Sequence, residues 1–503
     1  MIEVISSSKK LEAHFDSFAL FESLKNKYSD DELFLLESLS GPNKDVSKSV
    51  IGFNPIFGVE FHVKKFKLKG SERIKHKVDM RLKSEDWIES LNAFEYQLLD
   101  AKDMWKVLRL MESLFDVQYE GAQKDIAFGY FGYIGYDAIH AIEEIPYTIK
   151  DDKNIPILNF NIYQGMFNID LEKRETFLTI NTSDDFDSND TYSEMVGMLE
   201  APVVESSKSG DLDVSVSEKI NSIKDSITKK EYLALVDKAM GHIELGDIYQ
   251  IQLGHEIKIN SDIEPYAVYK RLRSLNPSPY MYYTALSSQH IIGASPELFL
   301  RLDKDDNITM RPIAGTVKIG ATPEENKILQ QNLLNDEKER AEHIMLVDLC
   351  RNDVGRVCKK DTLEVDELMI IEQYSHVSHI VSNVIGKKDE KYDKYDVISA
   401  TFPAGTMTGA PKVRAMEIIE DFENTRRGIY AGLLGFIGFN GIVETALCIR
   451  TATYQDNVYT IRASGGVVSD STPVGEWNES ISKLSATYFA ITDKELRNEN
   501  FIN

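Results

Sequence analysis

Apolar residues recur along this chain with two spacings, and the change from one to the other marks out its elements. Residues 34–38, Phe-Leu-Leu-Glu-Ser, form a short apolar run that ends in polar side chains, the pattern of a strand. Over residues 127–136 glycines alternate with aromatic rings, which predicts a strand with a bend. Glycine there lets another backbone or ring pack closely, and a platform for stacking a ligand is the alternative. At Thr228 the spacing becomes helical. Thr228-Lys229-Lys230-Glu231 reads as a capping box, and Tyr232, Leu235, Val236, Ala239, Met240 and Ile243 follow as one apolar stripe. Beyond it the pattern predicts strands over 248–257, 280–286, 291–302 and 308–310 and one long helix over 323–349, opened by Thr322-Pro323-Glu324. A buried strand within 430–443, a hairpin of 446–454 and 458–461 around Asp456-Asn457, and a closing helix over 475–492 complete the reading.

Residues 201–226 break this rhythm. Glu205-Ser206-Ser207-Lys208-Ser209-Gly210-Asp211 is small, polar and aperiodic, so it reads as a linker. The chain is thereby divided into an N-terminal region (1–200), a linker (201–227) and a second domain (228–495). The charge run 387–394 predicts a solvated loop.

With 42% hydrophobic and 27% charged residues over 503 positions, the chain has the composition of a globular protein. Its formal net charge of −24 repels phosphate backbones and anionic membranes, so neither nucleic acid nor a membrane is an expected partner. The first residues lack a signal-peptide pattern. Cys350, Cys358 and Cys448 form no C-x-x-C pair, which fits a reducing compartment and a cytoplasmic location.

Two acidic pairs carry the candidate chemistry. Glu339 and Glu342 stand three apart on a predicted helix and share one face, and Glu476 and Glu479 repeat that spacing on another. Like charges so placed repel, and Mg²⁺, which prefers carboxylate oxygen, relieves them. Taken alone, the first pair reads more readily as an exposed acidic face partnered by Lys338 and Arg340, and the second pair shifts that balance. His376 and His379 offer proton transfer near neutral pH. The loop 402–412 leads into a helix start, where free amides favour an anion, but it lacks the ending of a nucleotide-binding loop. Arg450 can make a bidentate carboxylate contact, and Arg462-Ala463-Ser464-Gly465-Gly466 is a second amide-rich bend.

Taken together, Pro312 to Thr316, Asp336 to Asp353, Pro403 to Met416 and Gly475 to Glu479 resemble the chorismate-utilising enzymes. The N-terminal part, with Leu35 to Ser38 and Gly129 to Tyr136, is similar to component I of anthranilate synthase. The resemblance implies an α+β fold of two large packed antiparallel sheets with helices on the outside. It implies Mg²⁺ on Glu342 and Glu479, supported by Glu339 and Glu476, with His379 as general acid/base. Thr406, Glu339 and Gln250 would complete the catalytic set. Gly315, Thr316, Tyr430, Arg450, Ser464, Gly465, Gly466, Glu297 and Lys483 would contact chorismate.

Family members that use an amine of their own, or activate water, carry a lysine where this chain has Ala314 or Gln250. Both lysines are absent, which favours ammonia as nucleophile and anthranilate as product. No Gly-x-Cys-x-Gly nucleophile turn is present, so a separate glutamine amidotransferase subunit is the implied partner, in a heterotetramer. Leu36, Glu37, Ser38, Lys48, Ser49, Pro279, Tyr280 and Met281 would form a pocket for tryptophan as feedback inhibitor. The alternatives are a synthase of 2-amino-2-deoxyisochorismate, which keeps the pyruvyl group, and a non-catalytic tryptophan-binding regulator. The chain departs from the family pattern at Val317 to Gly320, at Ser464, and at Gln252 to His255.

Overall fold

The computed structural model describes residues 1–42, 47–121, 126–151, 153–186, 192–200 and 219–496. Two long strands, Lys48–His62 and Leu158–Asp170, pair antiparallel and form the seam of the molecule. Each is too long for one further neighbour, so its two ends take different partners. On the first, residues 50–53 pair with Leu33–Glu37 and residues 57–62 with Lys65–Gly70. On the second, residues 165–170 pair with Glu175–Thr182 and residues 158–161 with Gly129–Ile134.

The sheet divides at this seam. One part runs from Leu33–Glu37 through Tyr280–Leu286, Gln289–Ser295, Thr451–Gln455 and Val458–Val467 to Gln250–Ser261. The other runs from Gly129–Ile134 through Leu433–Gly438, Val443–Leu447, Leu298–Leu302 and Asn307–Met310 to Val377–Lys387. These pairings are antiparallel, whereas Ile2–Lys10 lies parallel to Phe115–Gly121. The expected α+β architecture of two antiparallel sheets is therefore present, with the two sheets continuous through shared strands. The N-terminal region supplies strands to both.

Facing side chains of the two sheets fill the space between them. Phe34, Tyr282 and Ile291 come from one, and Phe131, Tyr133, Leu434 and Phe436 from the other. Phe34 and Phe131 stack with ring centroids 3.6 Å apart. Helices Lys229–Glu244, Pro265–Leu275 and Pro473–Thr492 cover the outer face of the first sheet, and Met104–Glu112, Glu337–Gly355 and Lys394–Thr401 that of the second. Each fully buried large apolar side chain contributes about 1.5–3 kcal/mol, so the core has ample driving force. The rings of 127–136 are spent in this packing, with Tyr130 and Tyr133 fully buried, and do not form an open platform.

Several boundaries differ from the sequence expectation. The helix expected over 323–349 is two helices, Pro323–Asn335 and Glu337–Gly355. Asp336 leaves the helical backbone and caps the second, accepting from the amides of Lys338 and Glu339. The strand expected over 291–302 is broken at Pro296-Glu297, because proline cannot donate to the ladder. The expected linker ends early: Ile220–Asp225 is an exposed edge strand on Gln250–Ser261. Its polar sequence hid it, and pairing with a neighbouring backbone formed it. The stretch Glu205 to Asp211 lies outside the described residues. In the charge run, Lys394 is buried against Glu112 at 2.5 Å rather than solvated. The capping box at Thr228 forms as expected, and the hairpin turns at Asp456-Asn457. Its first arm is Thr451–Gln455 alone, because Arg450 at φ +52° ends the strand Val443–Leu447 and sends residues 446–447 to the other sheet. No helix among the described residues is long and apolar enough to cross a membrane.

Candidate functional site

The two acidic pairs lie on the first turns of separate helices. Asp336 fixes the start of Glu337–Gly355, and Thr472, accepting from the amide of Gly475, fixes that of Pro473–Thr492. Between them stands Gln250 on Gln250–Ser261, whose Nε2 donates to Glu342 Oε1 at 2.9 Å. Burial, then the charges of Glu339 and Glu479, push the Glu342 carboxyl up to about 7. Burial, then Asp336 and Glu479, also raise Glu339. Burial raises Glu476, against a 2.6 Å hydrogen bond from Ser471 Oγ, and its Oε2 is buried without a hydrogen-bond partner. Burial acts upward on Glu479 as well, but Lys483 at 2.6 Å and Arg450 outweigh it and hold that carboxyl below its ordinary value.

Among the described residues no three His, Cys, Asp or Glu side chains form a ready coordination shell. What the site offers is carboxylate oxygens that repel one another, one of them unpartnered. That donor set suits a hard divalent cation.

His379 sits on Val377–Lys387 opposite Thr316. Its Nδ1 is 2.9 Å from the Gly315 carbonyl and 3.0 Å from Thr316 Oγ1. A carbonyl only accepts, so Nδ1 carries the proton and Nε2 keeps its lone pair. Burial lowers the ring to about 4, with Arg450 adding to it and the Gly315 hydrogen bond opposing it, so the imidazole is neutral at pH 7. Gly315 has φ +67°, and a Cβ there would stand 3.0 Å from Glu339 Oε2, so glycine is required. His376 lies apart, exposed, with Nε2 3.0 Å from the Leu275 carbonyl.

Glu297, at the break Pro296-Glu297, accepts from Thr406 Oγ1 at 3.1 Å. Burial pushes its carboxyl up to about 8, so it holds its proton at neutral pH. Arg450 lies in the left-handed region at φ +52°. Burial lowers its pKa, opposed by the charges of Tyr430, Glu479 and Glu297, and no described residue forms an ion pair or hydrogen bond with its guanidinium. A half-buried cation without a partner is a site for an anionic ligand.

Tyr430 donates to Ser464 Oγ at 3.1 Å, and Lys483 donates to the Ser464 carbonyl at 2.8 Å. A Cβ at Gly465 would come within 2.8 Å of Glu476 Oε2, and one at Gly466 within 2.8 Å of Gln252 Nε2, so both glycines admit side chains of the site.

The sequence-predicted residues are thus brought together around Glu342. Three neighbours had no site role assigned from the sequence: Gln252 beside Gly466, Ser471 on Glu476, and Asp336 at the helix break. Period-2 spacing from Gln250 was the available signal for Gln252. The loop 402–412 contributes the Thr406 hydroxyl, while Lys412, at its helix start, is held by Asp353 at 2.7 Å.

A separate pocket lies between the sheets near the seam. Leu36, Glu37, Ser38, Lys48, Pro279, Tyr280 and Met281 line it, with Val50, Phe436 and Glu444. Ser49 does not, since strand alternation turns it to the opposite face from Lys48 and Val50. The Glu37 carboxylate is held by Ser17, Tyr269 and Arg273, with Tyr269 OH at 2.6 Å.

The family described as chorismate binding enzyme matches residues 69–488. The 2-amino-4-deoxychorismate synthase of Streptomyces globisporus is 38% identical over 481 residues, 95% of this chain and 94% of that protein. Anthranilate synthase component 1 of Acetivibrio thermocellus is 35% identical over 467 residues, 92% and 90% of the two chains. The crystal structure of anthranilate synthase component I from Streptococcus pneumoniae TIGR4 superposes with a TM-score of 0.69 at 28% identity, covering 88% of this chain and 92% of that one. Fold, site and relatives agree: the chain belongs to the chorismate binding enzyme family.

Proposed function

We propose that this chain is the large subunit of an anthranilate synthase, converting chorismate and ammonia to anthranilate, pyruvate and water. The observation that carries the reading is that, among the described residues, positions 314 and 250 offer no amine to attack the substrate and the lysine at the site is engaged elsewhere. Ala314 has only a methyl group, Gln250 is turned to Glu342, and Lys483 is tied to Glu479 and the Ser464 carbonyl. The attacking nitrogen therefore has to be supplied.

Arg450 and Tyr430 would receive a substrate carboxylate, with the glycine backbone at Gly465 and Gly466 leaving room for the ring. Protonated Glu297 would hand its proton to the C4 hydroxyl, which would leave as water as ammonia bonds to C2 and the ring double bonds shift, and the resulting C2 ammonium would return one proton to Glu297. His379, protonated on Nδ1, is a base at rest rather than an acid, so Glu297 takes the acid role otherwise expected of the histidine. Nε2 of His379 would then remove the C2 proton. That electron pair completes the aromatic ring as the C3–O bond breaks and the enolpyruvyl group leaves to become pyruvate. Mg²⁺ held by Glu342 and Glu479, with Glu339 and Glu476 in support, would stabilise negative charge on the ring carboxylate.

The full-length Streptomyces relative supports a second reading. Its named product, a 2-amino-4-deoxychorismate, is what the first step alone yields. An enzyme that stops there would release the amino diene and no pyruvate.

The relatives named as component 1 support a second component, which this reading takes to be a separate glutamine amidotransferase. The pocket at Leu36, Lys48 and Met281 is assigned to tryptophan as inhibitor. Its support is the apolar wall between the sheets and the charged side chains at its rim.

Incubation of the purified chain with chorismate, ammonium chloride and Mg²⁺ tests the reading. Anthranilate fluorescence with equimolar pyruvate is expected, lost without Mg²⁺ and reduced by tryptophan. Glutamine should not replace ammonium unless a second subunit is added. A product retaining the pyruvyl mass would establish the second reading, and an inert protein would leave a binding role.

A further inference from the structure

Gln252 stands in the middle of the site with its side-chain amide unspent. On the antiparallel pair Gln250–Ser261 and Val458–Val467, the partners Gln252↔Gly466 and Gly254↔Ser464 share one face, and Gln250 begins it. The Gln252 backbone is held on both sides: its amide donates to the Thr408 carbonyl at 2.8 Å, and its carbonyl accepts from Arg427 at 2.8 Å. Arg427 is fixed in turn by Glu423. The side chain reaches over Gly466, where a Cβ would come within 2.8 Å of Gln252 Nε2, 3.1 Å of Gln250 Nε2 and 3.4 Å of Glu342 Oε1. Gln250 Nε2 is committed to Glu342. The Gln252 amide makes no hydrogen bond to a described residue, although Gln252 is only 7% exposed. Gln250 Oε1 is shut in without a partner, whereas neither amide atom of Gln252 is.

Three positions of that face follow the order of groups along chorismate. Gln250 is beside Glu342, where the ring carboxylate on C1 would lie. Gly254 and Ser464 are beside Tyr430, which with Arg450 would receive the other carboxylate, that of the enolpyruvyl group. Gln252 lies between them, about 7 Å along the strand from either. Between the two carboxylates of chorismate come C2, C3 and the ether oxygen on C3. Of these only the ether oxygen accepts a hydrogen bond.

Resting on the anthranilate reading above, we propose that Gln252 is a catalytic residue of the second step, its Nε2–H donating to the ether oxygen on C3. When His379 Nε2 takes the C2 proton, the C2–H electron pair enters the ring, the C3–O bond breaks and its pair stays on that oxygen. The enolpyruvate so released takes a proton from water and becomes pyruvate. Gln252 gives up no proton. A vinyl ether oxygen is a weak acceptor, because its lone pair is conjugated, and it becomes a strong one only as it turns into an enolate. The contact therefore strengthens toward the transition state, from a donor whose backbone is already fixed. It also selects the product. The first step, at C2 and C4, puts no charge on the ether oxygen, so loss of the donor slows elimination alone and leaves the amino diene.

Chemical quench of the full chain with chorismate, ammonium chloride and Mg²⁺, read by mass and by anthranilate fluorescence, tests this. Gln252→Leu and Gln252→Met nearly keep the volume and lose the donor. In both, anthranilate formation should fall about tenfold or more while an amino diene retaining the pyruvyl mass accumulates. First-turnover consumption of chorismate and its KM should stay within about twofold. The ratio of diene to anthranilate comes only from folded, active molecules, so a loss of folded protein does not imitate the effect. A ratio equal to that of the wild type, or chorismate consumption that falls in step with anthranilate, would overturn the role. A change confined to the Mg²⁺ requirement would overturn it too, and place Gln252 with the metal. A wild-type protein that releases the diene and no pyruvate would instead defeat the anthranilate reading itself, and this role with it.

Discussion

The strand Gln250–Ser261 touches two charge clusters a few residues apart, one buried around Glu423 and one half-buried around Glu342, and they are built on opposite terms. Around Gln252 and Gly254 lies Glu423, with Arg427 and Arg462. Glu423 accepts from Arg427 at 2.8 and 2.9 Å, from Arg462 at 2.7 Å and from the Gly254 amide at 3.0 Å. Arg427 spends its remaining donors on the carbonyls of Met407 and Gln252, both at 2.8 Å. Burial is outweighed, and the Glu423 carboxyl lies below its ordinary value while Arg427 lies above its own. Around Gln250 the reverse holds. Glu339, Glu342 and Glu476 are raised, and Arg450 is lowered and unpaired. Both clusters cost desolvation, but only the first is repaid within the chain. The lesson is that position in the core does not separate scaffold from site; the bonds a buried charge leaves unmade do.

The sharpest way to break this comparison is to remove an anion from each cluster. Glu423→Ala strands Arg427 and Arg462 without a counter-charge, and urea denaturation should show a loss of about 3–5 kcal/mol. A loss under about 1 kcal/mol would mean the scaffold cluster is not held together as described. Glu342→Gln removes a carboxylate that its neighbours repel. Its melting temperature should equal or exceed that of the wild type, while Mg²⁺-dependent turnover falls by about a hundredfold or more. Full activity in that variant would remove the metal assignment.

Much of this contrast was legible in the chain. The repeated Glu-x-x-Glu spacing, the glycines at 315, 465 and 466, and the Thr228 capping box are local patterns, and local physics preserved them. What was hidden depends on partners distant in sequence. Asp336 has the residue type of a cap, yet only the observed backbone shows it dividing a helix. Ile220–Asp225 has no apolar alternation, and it became a strand because Gln250–Ser261 offered it an edge. Ser49 sits next to Lys48 in sequence but on the other face. The proton on His379 Nδ1 follows from the Gly315 carbonyl, which is set by strand register that the sequence does not state.

Arg450→Leu sharpens the comparison from the cationic side. Because no bond to the protein is lost, stability should hold or rise. The substrate loses a charge-assisted contact worth about 1.5–3 kcal/mol, so kcat/KM should fall about 10- to 150-fold, mainly through the chorismate KM. Arg462→Leu, by contrast, should destabilise the fold.

The smallest expected effect is the most diagnostic, because the two regions should answer acid with opposite sign. Glu423 has a folded pKa below its ordinary 4.5, so its contribution is complete above that value and is lost as pH falls through the folded pKa. Glu297 has a folded pKa raised to about 8, so the folded state binds the extra proton between 4.5 and 8. Its contribution is complete below 4.5 and declines as pH rises to about 8. Stability curves of Glu297→Gln and the wild type should therefore converge at acid pH and separate toward pH 8, with the variant the more stable. In kinetics the same proton is the general acid, so wild-type kcat/KM should fall above about pH 8, and Glu297→Gln should lose that limb together with most of its rate. An alkaline limb that survives in Glu297→Gln would return the acid role to His379 and place Glu297 with the scaffold.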